Sequence, residues 1–145
     1  MSKQSWPGFS WAMLAVGLVL GASLSWVRAA DAPQPGRVFE IRTYHTFPGR
    51  LDALHKRFRE HTMKVFEKHG MTNVAYWTFE DSPAREATLI YVISHASRGQ
   101  AKKNWAEFGS DPEWKQIAAD SEKDGKIVEK VDSVFVDATD YSPLK

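Results

Sequence analysis

The chain has no cysteine in its 145 residues. That excludes disulfides, thiolate nucleophiles, Cys-ligated zinc, iron–sulfur clusters and a lipid-anchored cysteine behind a leader. It also lacks an excess of either charge, with 19 Lys and Arg against 18 Asp and Glu for a net +1. No field is available to gather nucleic acid or an anionic membrane, so no nucleic-acid partner is expected. GxGxxG, P-loop, GxSxG and HExxH motifs are all missing. His55, His61 and His69 are six and eight residues apart. The i,i+4 spacing that sets two imidazoles on one helical face for a metal therefore does not occur. No catalytic residue, metal ligand or cofactor is assigned.

What is present is ordinary globular material, 43% apolar and 26% charged, behind a different opening. Trp11–Trp26 carries no charge, follows Lys3, and precedes Val27-Arg28-Ala29. This is the layout of a secretory signal peptide, with small residues at −3 and −1 of a cleavage after Ala29. The competing reading is a membrane anchor. Sixteen helical residues span about 24 Å, short of the roughly 30 Å hydrocarbon core, which favours cleavage. Cleavage would remove Lys3 and Arg28 and take the net charge from +1 to −1. The expected organisation is a signal peptide over 1–29, a flexible Pro- and Gly-containing leader over 30–37, and one domain over 38–145. The expected location is periplasmic or secreted, with no stable membrane anchor after processing.

The domain reads as β-α-β-β-α-α-β. Val38–His45 alternates, with Phe39, Ile41, Thr43 and His45 on one face and Val38, Glu40, Arg42 and Tyr44 on the other. A helix is expected from Arg50 to His69, its apolar stripe formed by Leu51, Leu54, Phe58, Thr62, Val65, Phe66 and His69. Gly70 sits where a left-handed residue ends a helix. Asn73–Glu80 and Ala87–His95 read as strands, the latter apolar on both faces as if buried on both. Ser97 caps a helix that Gly109 is expected to end, and Asp111 with Pro112 starts another. A last strand is expected from Val131. The pattern gives an α+β fold: a ferredoxin-like sandwich with an antiparallel four-stranded sheet. Helices cover one sheet face, and the other keeps large apolar residues. An open apolar face on a monomer is unfavourable, so a homodimer closing sheet on sheet is expected.

Glu40, Arg42 and Tyr44 are the unusual feature of the first strand. If the helices cover the Phe39 face, these three face the dimer barrel. They are then either an inter-subunit salt-bridge network or a polar handle for a small acidic or phenolic ligand, with Trp77 as an apolar wall. His55, His61 and His69 read as structural, and His45 and His95 as solvent-facing strand ends. Trp105 and Trp114 read as core, and Asp120–Lys130 as a solvated loop.

Phe39-Glu40-Ile41-Arg42-Thr43-Tyr44 followed by Pro48-Gly49-Arg50-Leu51 resembles the opening of NIPSNAP domains. Phe58-Arg59-Glu60-His61, His69-Gly70 and Tyr76-Trp77 continue in the family's order. Asp111-Pro112-Glu113-Trp114, Ser121 to Gly125 and Thr139 to Lys145 resemble its second half. The resemblance covers residues 38–145 and implies a dimeric α+β barrel. It implies no catalytic residues. Animal members are linked to vesicle traffic and mitochondrial quality control, and the leader instead implies an exported bacterial member. The expected function is a non-catalytic small-molecule-binding or interaction module. The alternatives are a cofactor-independent monooxygenase- or isomerase-like enzyme on a phenolic substrate, or a haem-binding barrel with His61 or His69 as ligand. The binding reading is preferred because no titratable group with an orienting partner can be paired from the sequence.

Overall fold

The computed structural model describes residues 36–145. The expected signal peptide, and all of the leader but Gly36 and Arg37, lie outside the described residues. Among them no helix is long and apolar enough to cross a membrane. The elements are β1 (Val38–Thr46), α1 (Leu51–Arg57), a π-helical turn (Phe58–Thr62), α2 (Met63–Lys68), β2 (Thr72–Trp77), a 3-10 turn (Pro83–Glu86), β3 (Thr88–His95), α3 (Arg98–Ser110), α4 (Pro112–Ser121) and β4 (Val128–Val136). The sheet is antiparallel with order β2-β3-β1-β4, the ferredoxin-like arrangement the alternation predicted.

The helices cover one face only. Leu54, Phe58, Val65 and Phe66 from the first helical segment bury against Leu89, Tyr91 and Ile93 of β3, with Phe108 and Ile127 closing the core. Burying each such side chain stabilises by about 1.5–3 kcal/mol. The rings of Phe58, Phe66 and Tyr91 sit 5.1–6.0 Å apart in tilted and edge contacts, as aromatic quadrupoles prefer. Trp105 and Trp114 pack on this core as expected.

The covered face is the one bearing Glu40, Arg42 and Tyr44, so the condition that would have turned these residues toward a barrel is not met. Arg42 pairs across the sheet with Tyr91, a core residue, and Tyr44 with Leu89, another. The open face carries Phe39, Ile41, Thr43 and His45 from β1, with Val92 and Ile90 from β3 and Val136 and Val134 from β4. Trp77 pairs with Ile90 and therefore belongs to this open side. β3 is buried toward the helices; on the other side its ends, Thr88 and Ser94, are buried, while Ile90 and Val92 are only half-buried, so it is not closed on both faces as its composition implied.

β2 ends at Trp77, three residues short of the expected Glu80, and three further boundaries differ from expectation for local reasons. The first helix is interrupted by the π turn, where the Thr62 hydroxyl donates to the Arg57 carbonyl, 3.2 Å away. α3 runs through Gly109 to Ser110, because the stop is set by Asp111, held extended ahead of Pro112. β4 starts at Val128, three residues before Val131, its charges tolerated because it is an exposed edge strand. Gly70 does adopt the left-handed conformation, at φ 70°.

Candidate functional site

Beneath the helices the Glu40 carboxylate is 1% exposed and accepts four hydrogen bonds. Oε1 takes Arg42 Nη1 at 2.7 Å and Ser133 Oγ at 2.6 Å. Oε2 takes Trp105 Nε1 at 2.7 Å and His95 Nε2 at 3.0 Å. Burial alone would raise this carboxyl's pKa. The bonds from His95, Ser133, Trp105 and Arg42 outweigh burial and bring it down from 4.5 to about 2. Arg42 moves the other way. Burial opposes its charge, but the Tyr44 and Tyr91 phenols and the Glu40 carboxylate push its pKa above the ordinary range. Its guanidinium lies 4.2 Å from the Trp105 ring centre and 5.6 Å from that of Tyr44.

His95 extends the cluster. Its side chain is fully buried, so it is not the solvent-facing strand end expected. Nδ1 lies 3.2 Å from Asn104 Nδ2, which also donates to the Gly70 carbonyl at 3.0 Å. The pattern assigns the tautomer: Nε2–H donates to Glu40 and Nδ1 accepts from Asn104. The result is a polar knot joining β1, β3, β4 and α3. With both oxygens doubly bonded and the pKa near 2, Glu40 has no proton to give at neutral pH and no free lone pair for a ligand. The Glu40–Arg42 pair anticipated from the sequence exists, but within one chain and not between subunits.

Of the four proposed ligand-lining residues, Glu40, Arg42 and Tyr44 are brought together, and Trp77 lies on the other side of the sheet, 53% exposed. The knot's other members escaped sequence reasoning. Strand alternation does put His95 on the face of Tyr91 and Ile93, diagonal to Glu40 in the β1–β3 register. Finding Ser133 and Trp105 required the sheet order and the seat of α3.

Two further clusters flank the knot. Tyr91 is fully buried, stacks on Tyr76 at 5.4 Å and meets Tyr44 edge-on at 5.3 Å. Its hydroxyl has no hydrogen-bond partner among the described residues, and burial pushes the phenol pKa well up. His69 Nε2 bonds Asp111 Oδ2 at 2.7 Å, and Lys68 Nζ reaches the same oxygen at 2.8 Å. Asp111 Oδ1 accepts from the Glu113 N–H, so this pair fastens the end of α2 to the start of α4. Lys68 and His69 hold the Asp111 carboxyl well below the usual range. His69 is therefore committed structurally, as expected. Among the described residues no group of three or more His, Asp or Glu converges on a metal position.

A cleft of about 300 Å³ opens between the π turn and the end of β2, lined by Phe58, Arg59, Met63, Tyr76, Trp77 and Leu89 with His55 and Thr78. Asn73 braces it from below: its Nδ2 donates to the Met63 carbonyl at 3.0 Å, and its Oδ1 accepts from the Tyr76 hydroxyl. A second cleft of about 390 Å³ between α1 and α4 is lined by charges of both signs, including Lys56, Arg57, Glu60 and Asp120.

The architecture defines a ferredoxin-like α+β protein with one sheet face left open among the described residues. A family model described as NIPSNAP matches residues 39–143, and the chain belongs to the NIPSNAP family. Among solved structures it is similar to a NIPSNAP family protein of unknown function from Agrobacterium tumefaciens strain C58. That match has 21% identity, a TM-score of 0.65, and covers 76% of this chain and 95% of that one. A second protein of the family from the same strain is 18% identical with TM-score 0.65, covering 75% of this chain and 99% of that one. An uncharacterised NIPSNAP-like domain protein from Burkholderia xenovorans is 12% identical with TM-score 0.64, covering 74% and 89%. At these identities the likeness speaks for the fold. Among curated proteins nothing matches the chain.

Proposed function

We propose that this chain is an exported bacterial homodimer, a dimeric α+β barrel that binds a small molecule or a partner without catalysing a reaction. The observation that carries the reading is the open sheet face. Ile41, Ile90, Val92, Trp77 and Val134 share it by register, and Trp77 and Val134 are 53% and 55% exposed. Contiguous apolar surface of this kind favours a partner, and a second copy offers a self-complementary one. The knot beneath the helices offers no catalytic acid or base through Glu40, because its carboxylate is committed to four donors. Export rests on the leader layout in the sequence.

Light scattering on the purified protein tests the assembly. It should give twice the monomer mass, and Val134→Lys should give the monomer mass with an unchanged circular dichroism spectrum. A wild-type monomer at micromolar concentration sinks the barrel. N-terminal sequencing of protein from the native host should start near Ala30. Intact Met1 in the membrane fraction would replace export with anchoring.

A further inference from the structure

We propose that the cleft beside the π turn is a binding site for a small aromatic carboxylate. The proposal rests on the binding reading above and names the ligand class for it. Three observations converge. First, the lining is aromatic and apolar over most of its extent, through Phe58, Met63, Tyr76 and Leu89. Phe58 and Leu89 are buried, and the Tyr76 ring is held by its stack on Tyr91 and its bond to Asn73, so the wall is preformed. A flat ring is what such a wall accepts best. The volume, about 300 Å³, stands at the lower end of small-molecule sites and suits one or two fused rings.

Second, the polar part of the lining is one-sided. His55 and Arg59 supply donors, Thr78 a hydroxyl, and no Asp or Glu borders the cleft. Arg59 makes no ion pair among the described residues, whereas the nearby Arg57 is spent on Glu122 and Ser121. A free guanidinium fork over an apolar slot matches a planar carboxylate. The adjoining cleft, which shares His55 and Thr78, does contain Asp52 and Glu86. Arg85 also lines that cleft and offsets part of their charge, so the Arg59 end, with no acid on its border, is the better place for an anion.

Third, the π turn itself is what gives Arg59 its place. A π turn inserts a residue into a helix against local preference and recurs at functional positions. Here Phe58 and Arg59 are its first two residues, one under the slot and one at its edge. Thr62 and Asn73, bonded to the Arg57 and Met63 carbonyls, hold the distortion in place.

The test uses 2-naphthoate and its neutral methyl ester as probes on the full purified chain, followed by amide chemical shifts and calorimetry. The acid should bind more tightly than the ester, with shifts centred on Phe58, Arg59, Thr78 and Leu89. Arg59→Met should weaken the acid about tenfold or more and leave the ester unchanged. Equal affinity for acid and ester, no effect of Arg59→Met, shifts mapping elsewhere, or no binding at millimolar probe each overturns the proposal. Arg59 is exposed, so the variant keeps its fold, and a Glu60→Gln variant serves as a control for surface charge. A dimer that binds neither probe removes this site and leaves the homodimer standing. A monomer that binds naphthoate does the reverse.

Discussion

His95 with Glu40, and His45 with Asp132, are the same two chemical groups at the same 3.0 Å on opposite faces of one sheet. The first pair is 0% and 1% exposed, the second 38% and 51%. Separation says nothing about what each pair contributes. The buried carboxylate cannot return to water, so its energy depends on every donor being present. The exposed one exchanges protein partners for solvent at little cost. The two faces differ in the same sense. Toward the helices charge is buried among donors, whereas on the other face charge stays in water and apolar bulk stands without cover among the described residues.

The most damaging way to break the comparison is Glu40→Leu. It leaves the buried His95 and the partly buried Arg42 and Trp105 without their acceptor, while the exposed Ser133 can turn to water. Loss of one partner from a buried network costs about 3–5 kcal/mol, a large part of a small domain's stability. Urea unfolding should show a midpoint far below the parent's, with folding retained only at low denaturant. Arg42→Met is expected to cost less, because Glu40 keeps three donors and the replacement still packs on Trp105. A Glu40→Leu protein with the parent's midpoint would mean the knot is dispensable.

Acid sharpens the same point with less disturbance. The Glu40 carboxyl is at about 2 in the folded chain against an ordinary 4.5. The folded state thus binds its proton less readily than the unfolded state. Its contribution is full above about pH 4.5 and is lost as pH falls toward 2, on the order of 3 kcal/mol in all. Unfolding free energies of the parent and Glu40→Gln should differ at pH 7 and converge as pH approaches 2. A gap that stays constant through this window would assign the effect of the variant to packing and not to charge.

The strands, the amphipathic first helix and both helix caps were legible because each is written in local spacing. The Ser97 and Asp111 hydroxyl and carboxylate caps accept from Gln100 and Glu113 as the pattern required. Glu40 beside Arg42 was legible too, since residues two apart on a strand share a face. Which face the helices choose was not. The β1 pattern offers Phe39 and Ile41 on one side and Val38 and Tyr44 on the other, and both look coverable. The choice follows from three long-range contacts that no window on β1 contains: Trp105 from α3, Ser133 from β4 and His95 from β3. The π turn was illegible for a related reason. Its bracing partner Asn73 comes from the next strand, and a uniform helical period hides the inserted residue.

The smallest expected effect is the one that separates the two faces most cleanly. His45→Ala removes the exposed histidine, but Asp132 keeps Lys130 Nζ at 2.8 Å and free access to water. No buried group is orphaned, and no cavity opens. In the monomeric Val134→Lys background the urea midpoint of His45→Ala should therefore match its parent's within error, as exposed pairs generally do. In the dimer the proposed contact runs over the same face. If a second sheet covers His45 and Asp132, water is no longer there to replace the lost partner, and His45→Ala should lower the midpoint measurably. A shift in the dimer that vanishes in the monomer places this pair inside the subunit contact. A shift of equal size in both backgrounds would put His45 in the class of His95, and the contrast between the faces would then have to be sought in packing alone.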